Sequence, residues 1–425
     1  MRAADGKQLY ECPSAFRTKP AFPAGSYDRG LSLVLAAVFL FILIACQSAF
    51  AAMDNADTYL FPGDREPSVQ TADVPALVKE TADLAAAWFV NQVLDNGLFV
   101  YLYDPAAGAY PKGQSVLRQL MATRLLGIMA KNDASLLDLH KTNLSAVMNR
   151  WYREDEQGLG FMLEDYRSEL GSNAMALRAL VASPFFAQYS EKARKLADGI
   201  CSTQKNDGSF NPYFIFPEQP FDWAYTMAFY SGEATLALVE YYEKTGEKRF
   251  LDVAVSAQDF YLSLYVPPVL PNYYPASVPW QTLALSSLYR ITKNERYASA
   301  IFILNEKILE IQETRGNPGR FTNPDMERYG GTHSSSDGVY TESLAYALKL
   351  AIEKKDEVRE KMFRRAITLA VQNLSSLQYK KEPLRLKSNQ RSAVGAIRVR
   401  DNDGFIRIDC VQHALDAFLK IREVW

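Results

Sequence analysis

Two stretches, Leu238–Leu262 (LVEYYEKTGEKRFLDVAVSAQDFYL) and Leu285–Leu309 (LSSLYRITKNERYASAIFILNEKIL), read as copies of one structural unit. Leu238 aligns with Leu285, Tyr242 with Tyr289, Thr245 with Thr292 and Phe250 with Tyr297, always 47 residues apart. That interval holds one helix pair with its loops, and repeats of this length mark stacked helical units. In the second copy Tyr297, Ile301, Leu304, Ile308 and Ile311 step by four and three, which buries one helical stripe. The preceding segment, TLALSSLY from Thr282, is apolar on nearly every side and must be covered by neighbours.

The same alternation runs outward in both directions. Helices apolar all round are expected in LRQLMATRLLGIM from Leu117, NAMALRALVA from Asn173, ATLALVEYY from Ala234, ESLAYALKLAI from Glu342 and QHALDAFL from Gln412, with amphipathic helices between them. About twelve helices are predicted, at roughly 75–95, 114–131, 136–150, 168–182, 188–203, 230–245, 248–263, 278–292, 295–312, 338–355, 357–377 and 409–422, with no run of strands. Six buried helices backed by six amphipathic ones form an inner and an outer ring. Closure is favoured over an open stack because the last helix is as apolar as the middle ones.

The alternation, together with SGEATLALVEYYEKTGEKRFLDVA and IRIDCVQHALDAFL, resembles the six-hairpin glycosidase-like superfamily over roughly residues 75–422. The resemblance implies an all-α (α/α)6 toroid and a carbohydrate in its central cleft. That superfamily hosts hydrolases, lyases and epimerases, so the fold alone does not fix the reaction. A weaker similarity is to the helical domain of glucuronyl epimerases, whose β-rich companion has no counterpart here.

Composition excludes several other classes. The 425 residues balance to a formal charge of −2, without the basic excess of a nucleic-acid binder. Four cysteines (12, 46, 201 and 410) form no CxxC pair, so neither a disulfide framework nor a thiolate metal centre is expected. Cys410, His413 and Cys201 imitate the zinc ligands of lanthionine cyclases only loosely, and neither metal nor cofactor is expected.

The beginning of the chain carries its own signal. Leu31–Cys46 (LSLVLAAVFLFILIAC) holds no charge, follows Arg29 and precedes an Ala49-Phe50-Ala51 cleavage pattern, as an export signal would. Residues 1–51 are therefore expected to direct export, residues 52–73 to form a linker, and residues 74–425 the toroid, in the periplasm or outside the cell. Retention of the apolar run as an anchor, or a lipid on Cys46 in the lipoprotein-like Leu43-Ile44-Ala45-Cys46, would tether the protein to a membrane instead.

In a toroid the loops leading into the inner helices share one face, and this sequence loads those positions with polar groups. They include Gln114 and Arg118; Glu164, Asp165, Glu169 and Asn173; Asp222, Trp223, Tyr225, Tyr230 and Glu233; Tyr274, Trp280 and Gln281; His333, Asp337, Tyr340 and Glu342; and Arg407, Asp409, Gln412 and His413. Acidic residues at helix starts also cap free amides. Glu233 and Glu342, each one turn inside an apolar helix, are harder to explain that way, because a lone buried carboxylate costs several kcal/mol. Glycoside hydrolysis requires two carboxyl groups about 5–9.5 Å apart, one of them an acid.

Glu233 with Glu342 is the preferred catalytic pair, with Asp222 and Asp165 in reserve. Arg118, Asn173, Trp223, Tyr225, Tyr274, Trp280, Gln281, His333, Tyr340, Asp409 and His413 are the candidates for binding substrate. Aromatic residues crowd the same loops, where flat rings can stack on sugars. Basic residues between Lys380 and Arg407 would attract an acidic glycan.

The expected activity is a glycoside hydrolase acting on an extracellular or cell-envelope poly- or oligosaccharide. The alternatives are a uronate lyase or epimerase, with Tyr225, Tyr340, His333 or His413 moving protons and Arg118 neutralising the carboxylate, or a noncatalytic glycan-binding factor.

Overall fold

The computed structural model describes residues 73–266, 275–322, 332–381 and 391–425. Residues 1–72, which include the expected export signal and most of the expected linker, lie outside the described residues, as does Tyr274. Twelve α-helices occur among the described residues: α1 (Val74–Val90), α2 (Val116–Asn132), α3 (Leu137–Trp151), α4 (Leu170–Ala182), α5 (Ser190–Ser202), α6 (Trp223–Thr245), α7 (Lys248–Tyr265), α8 (Ser277–Thr292), α9 (Glu295–Leu309), α10 (Ser334–Lys354), α11 (Glu357–Ser376) and α12 (Ile408–Val424).

The even-numbered helices α2 to α12 each pack on the next, and α12 returns to α2, closing an inner ring of six. Each odd-numbered helix packs behind an inner one. The fold is an (α/α)6 toroid.

Burial follows the sequence pattern. Within α4 every residue from Leu170 to Leu180 is buried, whereas α9 buries Tyr297, Ala298, Ala300, Ile301, Phe302, Leu304, Asn305 and Ile308 and shows the rest to water. The repeat has a structural cause at its turn. Gly246, Lys293 and Lys355 close α6, α8 and α10 in the left-handed conformation. Thr245 and Thr292 each donate a side-chain hydrogen bond four residues back and accept one from the amide two residues on. Phe250 and Tyr297 then anchor the returning helices in the core.

Two features differ from the expectation. Helix α6 begins at Trp223, seven residues early, because Asp222 caps it by accepting from the Tyr225 amide at 3.0 Å. Among the described residues six short strands also occur, in three antiparallel ribbons: β1 (Leu102–Tyr103) with β6 (Ile406–Arg407), β2 (Tyr152–Glu154) with β3 (Gly160–Met162), and β4 (Ser168–Glu169) with β5 (Tyr213–Ile215). At two or three residues each they are too short to leave a periodic signal. They nonetheless position the site. The β1–β6 ribbon sets Arg407 and Asp409 at the start of α12, and β4–β5 sets Glu169 at the start of α4.

Candidate active site

All six inner helices send their first turns, or the residues just before them, to one cavity of about 430 Å³. Of the residues expected from sequence, Arg118, Tyr225, Glu233, Trp280, His333, Tyr340, Asp409 and His413 line it. Gln114, Glu164, Glu169, Tyr230 and Arg407, also among the polar helix-start residues, line it as well.

Glu233 sits about three turns along α6, which starts at Trp223, and lines the cavity while only 1% exposed. Its Oε2 has no hydrogen-bond partner among the described residues. Gly171 makes room for it: a Cβ there would stand 2.5 Å from Glu233 Oε2 and overlap the Tyr230 ring. Burial pushes the Glu233 carboxyl up to about 8, with Arg178 pulling partly back and Glu169 adding to the rise. At neutral pH this group holds its proton.

Glu169 shares the wall. It accepts from Arg167 Nε at 3.1 Å and lies close enough for the Tyr230 hydroxyl to bond to it. Glu164, beyond Arg167, accepts from the Val116 amide at 3.2 Å, and its carboxyl is raised chiefly by burial. Arg167 escaped the sequence reading, and its signal was the alternation Glu164, Arg167, Glu169 in a short loop.

The opposite wall has a different character. Asp409 accepts from Arg118 Nε at 2.7 Å, from Arg407 Nε at 2.6 Å and from Ser335 Oγ at 3.2 Å. Burial alone would raise its carboxyl, but the two guanidiniums overcome that and hold it well below the ordinary range. One carboxylate between two arginines leaves this wall positive. His333 and His413 stand beside it, and burial lowers both, His333 to about 4. Both imidazoles are neutral at pH 7. Trp280 meets His413 edge-on, with ring centroids 6.1 Å apart.

The preferred pair is divided between two cavities. Glu342 lies deeper along the ring axis, lining a second cavity of about 10 Å³ with Arg124, Arg178, Gln412 and Asp416. Met121 and Trp280 line both cavities. Burial, then Asp416, pushes the Glu342 carboxyl up. Its neighbours are buried ion pairs, Arg124 with Asp416 at 3.2 Å and Arg178 with Glu240 at 2.9 Å, so Glu342 belongs to the packing of the ring's centre.

The remaining candidates have structural positions. Asp222 caps α6, Trp223 is half-buried at its start, and Asp165 is exposed in a turn. Asn173 holds the Met162 amide at 2.7 Å, and Gln281 bridges Gln258 and Ser231. The basic segment is dispersed: Arg391 bonds Asn91, Arg398 stacks over Tyr379, and Arg407 alone of its described residues lines the cavity.

Cys201 and Cys410 are free thiols on α5 and α12. Among the described residues, Glu342, His413 and Asp416 bring ligand atoms within 4.8 Å of one another. A cation there would have to displace Arg124 and Gln412 from Asp416 and face Arg178 as well, so these residues fit a metal poorly.

The family model for the β-L-arabinofuranosidase GH127 catalytic domain matches residues 158–368. No curated protein matches in a sequence search. Similar solved structures include an unsaturated glucuronyl hydrolase specific for heparin, with TM-score 0.59 and 12% identity over 82% of this chain and 98% of that one. The GH76A α-1,6-mannanase of a Salegentibacter species aligns with TM-score 0.56 and 12% identity, over 83% of this chain and all of its own. The cellobiose 2-epimerase of Bacillus thermoamylovorans aligns with TM-score 0.60 and 10% identity, over 82% and 100%. A closed ring of six helical hairpins, with polar groups from all six inner helices at its mouth, is the fold this chain shares with those structures, and residues 158–368 are similar to a six-hairpin glycosidase-like catalytic domain.

Proposed function

We propose that this carbohydrate-active enzyme is a glycoside hydrolase acting on an oligo- or polysaccharide, with Glu233 as the acid and Glu169 as its partner. One observation carries the reading. A buried carboxyl, raised to about 8 and without a hydrogen-bond partner at Oε2 among the described residues, lines the cleft together with a second carboxyl group. Glu233 gives its proton to the leaving oxygen as the glycosidic bond breaks, and Glu169 takes a proton from the attacking water. The GH127 match spans Glu164, Glu169 and Glu233. The positive wall of Arg118 and Arg407 would suit an acidic group on the sugar.

The test is release of reducing ends from L-arabinofuranosides, α-1,6-mannan and uronate oligosaccharides. Turnover of one class is expected, with loss of about 10²–10⁴-fold in Glu169→Gln. Full activity in that variant would remove Glu169 from the reaction.

The two neutral imidazoles, His333 and His413, favour a second reading, epimerisation or isomerisation, since a neutral imidazole can take a proton from a carbon beside a carbonyl. Deuterium incorporated into the sugar from heavy water, without new reducing ends, would identify it.

The apolar run Leu31–Cys46 supports action outside the cytoplasm. Cell fractionation and N-terminal sequencing should find the protein exported and beginning after Ala51, or lipid-labelled on Cys46. A full-length chain in the cytosol contradicts export.

A further inference from the structure

We propose that sugar rings of the same substrate extend beyond the cavity onto an aromatic rim, with Tyr166 as its principal stacking platform; this rests on the carbohydrate reading of the cleft. Nine large apolar side chains are exposed among the described residues, and six of them are aromatic: Tyr110, Tyr166, Phe216, Phe221, Tyr225 and Phe405. Every one lies in the segment leading into α2, α4, α6 or α12, or at the first turn of α6. The three exposed aliphatics, Ile303, Ile352 and Val358, lie within α9, α10 and α11, away from these segments. Scattered apolar exposure needs no explanation, but exposed aromatics confined to the segments that lead into inner helices, or to the first turn of one, do.

Tyr166 is the extreme case, at 90% exposure. It occupies the tip of a two-residue turn in which Glu164 and Arg167 exchange both backbone hydrogen bonds, at 3.0 and 2.9 Å. Both central residues are left-handed, Asp165 at φ 45° and Tyr166 at φ 65°. Turns of this kind favour Asn-Gly or Asp-Gly, because a bulky residue at positive φ is strained. The chain thus holds a tyrosine where glycine would be more stable, and holds its ring in water. Strain of this sort is kept where a side chain must be presented. The turn stands at the edge of the cleft, since Glu164 and Arg167, on either side of the tip, both line the cavity.

A flat ring carried by a short, doubly hydrogen-bonded turn offers a rigid face for the apolar side of a sugar, with a hydroxyl at its edge. Phe216 and Phe221, which pack on Tyr213 with centroids 5.7 and 4.8 Å apart, continue the rim, and Tyr225 connects it to the cavity.

The experiment is calorimetric binding of mono- to pentasaccharide ladders of α-1,6-mannose, L-arabinofuranose and glucuronate to the wild type, Tyr166→Gly and Tyr166→Trp. Glycine suits the turn, so Tyr166→Gly should fold at least as stably as the parent. Wild-type affinity is expected to rise with chain length on one ladder. Tyr166→Gly should lose roughly five- to thirtyfold on the longer members and nothing on the monosaccharide, and Tyr166→Trp should keep the gain. Unchanged affinity across the ladder in Tyr166→Gly, an equal loss on the monosaccharide, or no wild-type binding to any ladder would each overturn the proposal. Hydrolysis is scored separately by product release. Chain-length-dependent binding without turnover would sink the hydrolase reading and leave the rim standing.

Discussion

Glu233→Gln is expected to abolish turnover, by three orders of magnitude or more, while making the protein more stable in neutral and alkaline solution. The two effects share one cause. The carboxyl is buried on the cleft wall, its Oε2 without a partner among the described residues, and burial lifts it from 4.5 to about 8. The folded protein therefore keeps a proton that the unfolded chain releases above about 4.5. Stability contributed by that proton is fully present below 4.5 and is lost as the pH rises through about 8. The full cost is on the order of 3–5 kcal/mol. Glutamine never ionises, so the variant should gain on the wild type from about pH 4.5 and hold the whole advantage by about pH 8.

For the same reason wild-type kcat/KM should fall above about pH 8, where the acid loses its proton. Urea unfolding at pH 5, 7 and 9, run beside the pH–rate profile, checks both halves. Near-normal activity in the variant, or a stability gap that does not widen with pH, would remove Glu233 from its proposed role.

Asp409→Asn should behave in the opposite way. Asp409 is clamped between Arg118 and Arg407, so its removal leaves two cationic groups facing each other in a half-buried wall. Breaking a buried pair from one side typically costs about 3–5 kcal/mol. The lower half of that range is expected here, because Arg118 and Arg407 remain partly exposed. The folded carboxyl is depressed, so its contribution is present above the unfolded value and disappears as the pH falls toward the folded one. The deficit of Asp409→Asn should therefore be constant from pH 5 to 8 and shrink only below about 4. Urea midpoints across that range decide it; a variant as stable as the parent at pH 7 would show the clamp to be dispensable. Loss of substrate affinity should accompany the loss of stability, since Arg118 and Arg407 would no longer be held in place.

These two residues show how much of the site was legible beforehand. Glu233 betrayed itself by chemistry: an acid inside an apolar helix demands a reason whatever surrounds it. Glu342 made the same demand and has a different answer, because it packs at the ring's centre near Arg124 and Arg178. Sequence could pair the two glutamates by type but could not rank their depth along the axis. Glu169 was visible as a helix-start acid and only later as the neighbour of Glu233. Asp222 and Asn173 had residue types fit for catalysis or binding and were taken up by a helix cap and a loop brace.

What the amino-acid order determined by itself was the toroid: helix period, the alternation of fully and partly buried helices, and the 47-residue repeat are local or near-local properties. Hydrophobic burial enforces them wherever the chain goes. What only the tertiary structure decided was which polar groups share a cavity. That depends on ribbons of two or three residues, such as β1–β6 and β4–β5, and on one-turn differences in depth. Such short pairings join residues up to about 300 positions apart, and they are fixed by the closing of the ring rather than by any pattern along the chain.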